Sequence, residues 1–200
     1  MKCFKEAVVN RRSVYALGKN IPVLESEVVA AVERMTKETP SPFNIQSARV
    51  IVALNEHHDN VWNIVEDTLK SIVSVAQFKE TEKKLQGFKN AYGTILFFED
   101  TATVEMTQGK FPQYAPSFPV WAAQANGMLQ FAIWTQLEAM GLGVNIQHYN
   151  PLIDDGIKKC FNTPDGWELV AEMVFGEMVE PAAPIVKIPV KERVKILGGL

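Results

Sequence analysis

The chain has little cysteine and almost no charge imbalance. Cys3 and Cys160 are its only two cysteines. Neither belongs to a Cys-x-x-Cys pair or a Cys/His cluster, so neither a disulfide framework nor a metal site is expected. Twenty Lys and Arg against 23 Asp and Glu leave a net charge of −3. That gives no basic footprint for nucleic acid or an anionic membrane surface. Lys83-Lys84 and Lys158-Lys159 are isolated pairs and read as solvated faces. Long uninterrupted apolar runs are missing as well. The most apolar stretch, Phe118 to Met140, carries Gln124, Asn126, Gln130, Gln136 and Glu138, too many polar groups for a helix in contact with lipid. Met1 to Glu6 has no apolar h-region, so no secretory leader is expected, and the reducing cytoplasm is the expected setting. There is no G-x-S-x-G, no P-loop and no G-x-G-x-x-G, and Gly141-Leu142-Gly143 is too short to stand for one. Glu80, Glu82, Asp100, Asp154 and Asp155 show no pairing that suggests a carboxylate dyad. Hydrolase, kinase and Rossmann-dehydrogenase chemistry therefore have no support.

What is present is enough apolar material, 47% of residues, to bury a core in one domain spanning 1–200. Hydrophobic periodicity predicts helices over 3–12, 25–38, 57–75, 78–90, 101–109, 119–140 and from Pro151 to Phe161. β-Branched and apolar runs predict strands at Arg49–Leu54, Tyr92–Glu99, Val144–Gln147 and Leu169–Phe175. A Pro-rich loop runs to Pro119. Pro181, Pro184 and Pro189 make residues 177–200 an extended C-terminal arm. Helices alternating with strands predict an α/β domain, a sheet with helices on both faces. The helix at 119–140 is apolar nearly all round and must be buried on all sides. Packing against its copy in a second subunit is one way to achieve that, and the arm could wrap the same partner.

Two clusters carry the chemistry. Arg11-Arg12-Ser13 offers two guanidinium forks and a hydroxyl, a good match for a terminal phosphate. Pro40-Ser41-Pro42-Phe43-Asn44-Ile45-Gln46 offers a hydroxyl and two amides on a segment whose prolines keep it from being helical. Such a wall can bind the polar edge of a flat heterocycle. Solvated arginines at a helix end and an ordinary turn-rich loop are the plainer readings of each cluster alone. Together they suggest a mononucleotide-like cofactor.

In this order, and with Trp121-Ala122-Ala123-Gln124 and Gly141-Leu142-Gly143-Val144-Asn145-Ile146-Gln147-His148-Tyr149-Asn150 following, the motifs resemble the nitroreductase family of flavin mononucleotide (FMN) enzymes. Tyr15-Ala16-Leu17-Gly18-Lys19-Asn20 and Gln147-His148-Tyr149-Asn150-Pro151-Leu152 are similar to its short subgroup, the relatives of the yeast fatty-acid-repression-mutant protein and of a copper-induced bacterial nitroreductase. The resemblance implies an α+β fold with a mostly antiparallel central sheet flanked by helices, and an intertwined homodimer with FMN at the subunit interface. It implies FMN-phosphate contacts from Arg11 and Ser13, less clearly from Arg12, and from a late basic residue, Arg193 or Lys187. It also implies flavin-ring contacts from Ser41, Asn44 and Gln46, within a wall that includes Pro40 and Phe43. Tyr15, Gln124, Asn145, Gln147 and His148 complete the implied cofactor set. Phe43 and Phe111 sit in loops that could cover the flavin. Trp62, Trp121, Trp134 and Trp167 read as core.

No catalytic acid–base pair is expected from the protein, because flavin carries the hydride chemistry. A lone His148 reads as structural rather than as a general base. The implied activity is reduction of a nitroaromatic or quinone acceptor by NADH or NADPH, in ping-pong fashion through flavin N5. The alternative is a flavin-binding regulatory or stress-response protein in which turnover is incidental.

Overall fold

The computed structural model describes residues 2–198. Its elements are α1 (Phe4–Asn10), β1 (Leu17–Gly18), α2 (Glu25–Glu38), β2 (Ala48–Leu54), α3 (Glu56–Ile72), α4 (Val75–Lys89), β3 (Gly93–Asp100), α5 (Thr101–Lys110), α6 (Phe118–Ala139), β4 (Gly143–Gln147), α7 (Asp154–Phe161) and β5 (Trp167–Met178). Short 3₁₀ turns lie at Pro42–Asn44, Pro112–Ser117 and Val190–Glu192. The two-residue strand β1 was not expected. α4 starts earlier than its charged pattern predicts, because Ser74 and Gln77 cap it reciprocally. Ser74 Oγ accepts from the Gln77 N–H at 3.4 Å, and Gln77 Oε1 from the Ser74 N–H at 3.2 Å.

β5 is the spine of the sheet. β3 runs along one of its edges and β4, then β1, along the other, while β2 pairs with the outer edge of β3. All four strand pairs are antiparallel. The alternation of side chains along β3 divides the core. Ile95 and Phe97 join Val28 and Val32 of α2 and Leu129, Ile133 and Leu137 of α6 on one face. Leu96 and Phe98 join Val61, Trp62 and Val65 of α3, Leu85 and Phe88 of α4, and Ile157 of α7 on the other.

α6 stops where a left-handed residue is needed. Gly141 has φ +91°, the Leu142 N–H reaches back to the Leu137 carbonyl at 3.0 Å, and the Gly141 N–H reaches that of Glu138 at 3.0 Å. The expectation that this helix is buried on all sides is corrected within one chain. Val120, Ala123, Gln124, Gly127, Met128 and Phe131 form an exposed stripe along it, because its neighbours α1, α2, α5 and the sheet cover only the inner side. No helix among the described residues is long and apolar enough to cross a membrane.

Candidate functional site

The first half-site lies beside β4. α1 ends at Arg11, whose N–H still bonds the Ala7 carbonyl at 2.8 Å while its own backbone turns extended. Ser13 then makes a parallel bridge to Val144, and the Val14 N–H reaches the Val144 carbonyl at 2.9 Å. Asn145 completes the seam. It is fully buried, its amide donates to the Val14 carbonyl at 2.8 Å, and its oxygen accepts from the amide of the buried Gln147 at 2.9 Å. The side chain of Asn145 therefore ties the 11–15 segment to the sheet. Arg11, Arg12, Ser13 and Tyr15 line a cavity of about 390 Å³ whose far wall is Ala183, Pro184, Ile185 and Lys187 of the arm. Arg12 holds that wall by donating to the Ala183 carbonyl. Of the two arm residues expected at a phosphate, Lys187 lines this cavity, whereas Arg193 follows the 190–192 turn and is exposed.

Among the described residues, Arg11 Nε is buried and has no hydrogen-bond partner. Burial pushes the Arg11 guanidinium below its ordinary value, the like charge of Arg12 adds to this, and Glu138 opposes it. A pocket holding three cationic side chains, a hydroxyl and an orphaned guanidinium donor fits a phosphate monoester.

At the end of β4 the chain turns back over Glu172. This carboxyl lies in the middle of β5, opposite Gln147, and is completely buried. Its Oε2 accepts from the Tyr149 N–H at 2.9 Å. Its other oxygen has no partner among the described residues. Burial raises its pKa to about 7, against the pull of the Tyr149 and Asn150 backbone, and Asp154 pushes it the same way as burial. Burial, then the Glu172 charge, pushes Tyr149 up to about 12. His148 is exposed at this turn. Glu172 was missed in the sequence, although an acid inside the apolar run Leu169–Phe175 was the signal for it.

The second half-site is the Pro40–Gln46 segment. Phe43, Asn44 and Gln46 all have positive φ, at 53°, 53° and 51°, conformations that cost about 1–3 kcal/mol for most side chains and collect at functional sites. Ser41 fixes the bend. Its Oγ accepts from the Gln46 N–H at 2.9 Å and its carbonyl from the Asn44 N–H at 3.0 Å. Asn44 and Gln46 are exposed, and Gln46 Nε2 makes only a long 3.4 Å contact to the Asn44 carbonyl. Pro40, Ser41 and Gln46 border a groove of about 580 Å³ floored by β2 and bounded by α2 and α6. Phe43 closes an aromatic cluster, with ring centroids 4.7 Å from Phe111, 5.8 Å from Tyr114 and 6.3 Å from Trp121, the last nearly parallel. Tyr114 was not expected here, because the Pro-rich loop gave no period to place it, and Trp121, on the predicted helix, was read as core.

Within one chain the two half-sites do not meet, since no described residue lines both cavities. Gln124 belongs to neither and lies in the exposed stripe of α6.

The chain is thus an α+β domain: an antiparallel sheet with α2 and α6 on one face, α3, α4 and α7 on the other, and an arginine-lined pocket at one edge. The nitroreductase family model matches residues 8–177. HBN1 of Saccharomyces cerevisiae is 34% identical over 183 residues, covering 90% of this chain and 89% of its own. The nitroreductase CinD from Lactococcus lactis, solved in complex with chloramphenicol, superposes with a TM-score of 0.90 at 38% identity over 98% of this chain and all of its own. A protein from Exiguobacterium sibiricum, solved in complex with FMN, shares the fold at 17% identity, with a TM-score of 0.74 and 98% of each chain covered. The chain belongs to the nitroreductase family.

Proposed function

We propose that this protein is an FMN-dependent NAD(P)H oxidoreductase that reduces nitroaromatic or quinone acceptors, and that it works as a homodimer in the cytoplasm. The observation that carries the cofactor is the phosphate-type cradle of Arg11, Arg12, Ser13 and Lys187 with its orphaned Arg11 Nε. When bound, FMN would take a hydride at N5 from the nicotinamide and pass its electrons to the acceptor. The chain's own work is to hold the cofactor and leave one face open. Arg11, Arg12 and Lys187 neutralise the phosphate. The backbone turn at Gln147 and His148, tied down through Tyr149 by Glu172, would help hold the flavin ring.

Ser41, Asn44 and Gln46 contact the ring from the second subunit. Three observations support the shared site: the exposed donors of the Pro40–Gln46 segment, their separation from the cradle, and the apolar stripe of α6. The acceptor class is supported by chloramphenicol, a nitrobenzene, in the CinD structure. A flat aromatic acceptor also suits the Phe43, Phe111 and Tyr114 rings.

The test is the absorbance spectrum of the purified protein, followed by equilibrium dialysis of FMN against the wild type and Arg11→Ala. The wild type should carry bound flavin, and the substitution should weaken FMN by about 1.5–3 kcal/mol, the range for a hydrogen bond to a charged group. Unchanged affinity would remove Arg11 from the phosphate. Anaerobic titration with NADH and NADPH, then with a nitroaromatic and a quinone, tests the donor and acceptors.

A further inference from the structure

Arg11 is placed by an aromatic shelf on α6 rather than by a hydrogen bond to its Nε. Its guanidinium carbon lies 4.3 Å from the centroid of the Trp134 ring and 5.7 Å from that of Phe131. The two rings are three residues apart and so share one side of the helix. Nε is buried without a partner among the described residues, and Arg12 next to it repels the same charge. Without the rings, both effects would favour swinging Arg11 out into water. A guanidinium is weakly hydrated and stacks on indole. A guanidinium stacked on a ring by its flat face keeps its N–H edge for an anion, and Arg11 lines the cavity shared with Ser13 and Lys187.

We infer that Trp134 is a positioning residue for phosphate recognition: it holds the Arg11 fork edge-on to the terminal phosphate of the flavin nucleotide. The inference rests on the FMN reading above, and goes beyond it by giving a residue read as core a role in choosing the phosphorylated flavin over the unphosphorylated one. The selectivity follows from geometry, because riboflavin has the same ring and ribityl chain but offers Arg11 no anion.

The experiment is a pair of fluorescence-quenching titrations, FMN and riboflavin, on the wild type, Trp134→Leu, Trp134→Phe and Arg11→Lys. Wild type should bind FMN more tightly than riboflavin. Trp134→Leu should lose about 5- to 20-fold in FMN affinity, the range of a partly desolvated cation–π contact, with riboflavin affinity unchanged. Trp134→Phe keeps a ring under the guanidinium and should stay within about threefold of the wild type. Arg11→Lys keeps the charge but not the planar fork, and should lose about as much as Trp134→Leu. Arg11→Lys also reads out the shelf if Trp134→Leu does not fold. Equal weakening of FMN and riboflavin in Trp134→Leu, or FMN affinity unchanged in Trp134→Leu, would overturn the role of Trp134 and leave FMN binding intact. Wild-type protein that does not distinguish the two flavins would instead overturn the phosphate cradle, and this role with it.

Discussion

On the face of the sheet covered by α3, α4 and α7, the chain finishes its own packing. Trp62 is fully buried against Phe88 at 4.6 Å between ring centroids, and its indole N–H donates to Thr94 Oγ1 at 2.9 Å. Thr94 has one hydroxyl proton left to give, and His58 Nδ1 lies 2.8 Å away. His58 is buried, and burial pushes its pKa down. On the other face, α6 covers the sheet with Leu129, Ile133 and Leu137 but turns Met128 and Phe131 outward, 46% and 41% exposed. The arm leaves Val186, Val190 and Ile196 exposed as well. A finished face next to an unfinished one shows where stability is held and where assembly and ligand chemistry are expected. Apolar side chains left in a row on a helix need a partner surface.

The largest effect that would break this contrast is Met128→Arg. Under a dimer, the new charge is buried without a counter-ion, which costs several kcal/mol. Light scattering should show half the wild-type mass, with the bound-flavin absorbance lost. A dimer of unchanged mass would put the interface elsewhere. Ile133, by contrast, is 1% exposed inside the chain's own core, so a charge there reports on folding.

Next is Trp62→Ala on the finished face, which should cost about 3–5 kcal/mol in denaturant unfolding. A value under 1 kcal/mol would show that this face is loosely packed.

Glu172 comes third. Its pKa is raised from 4.5 to about 7, so between these values the folded state holds the proton more tightly than the unfolded chain. Stability falls as pH rises through that window and is fully lost above it, by on the order of 3 kcal/mol. Glu172→Gln should flatten the pH dependence of unfolding between pH 4.5 and 7. What remains combines Asp154, whose pKa burial also raises, with His58, whose lowered pKa acts with the opposite sign. An unaltered profile would show that Glu172 is not the titrating group.

The smallest effect is expected at the open edge. His148→Asn should keep kcat with a quinone within about tenfold of wild type at all pH values, because hydride transfer through flavin needs no protein base. A loss of 10²-fold or more, the size expected for removing a general base, would make His148 catalytic.

Periodicity in the sequence was enough for most of the elements, because apolar residues at helical or alternating spacing report which side is covered. Strands ran longer than their apolar centres, as at β5 from Trp167 to Met178, since edge pairing carries polar residues too. The donor chemistry of the Arg11–Ser13 and Pro40–Gln46 clusters could be read from the sequence, and the proposed cofactor site rests on it. The place of Trp134 under Arg11 could not, because an aromatic residue on an apolar helix looks the same whether it supports a core or an arginine. The choice between Lys187 and Arg193 was equally hidden, since an irregular arm has no period.

Local chemistry along the chain determined the helix ends, the strand faces, the glycine stop at Gly141 and the clustering of guanidinium and hydroxyl donors at Arg11–Ser13. Those depend on residues within a turn or two of one another. Only the tertiary structure decided that Asn145 stitches Val14 to β4, that Arg11 lies on Trp134, that Glu172 is sealed beneath the turn after Gln147, and that the two ligand-type segments stay apart in one chain. The first three join residues more than twenty positions apart. Such contacts are set by how the sheet orders its strands and by which surfaces are left to cover, and no local pattern encodes that.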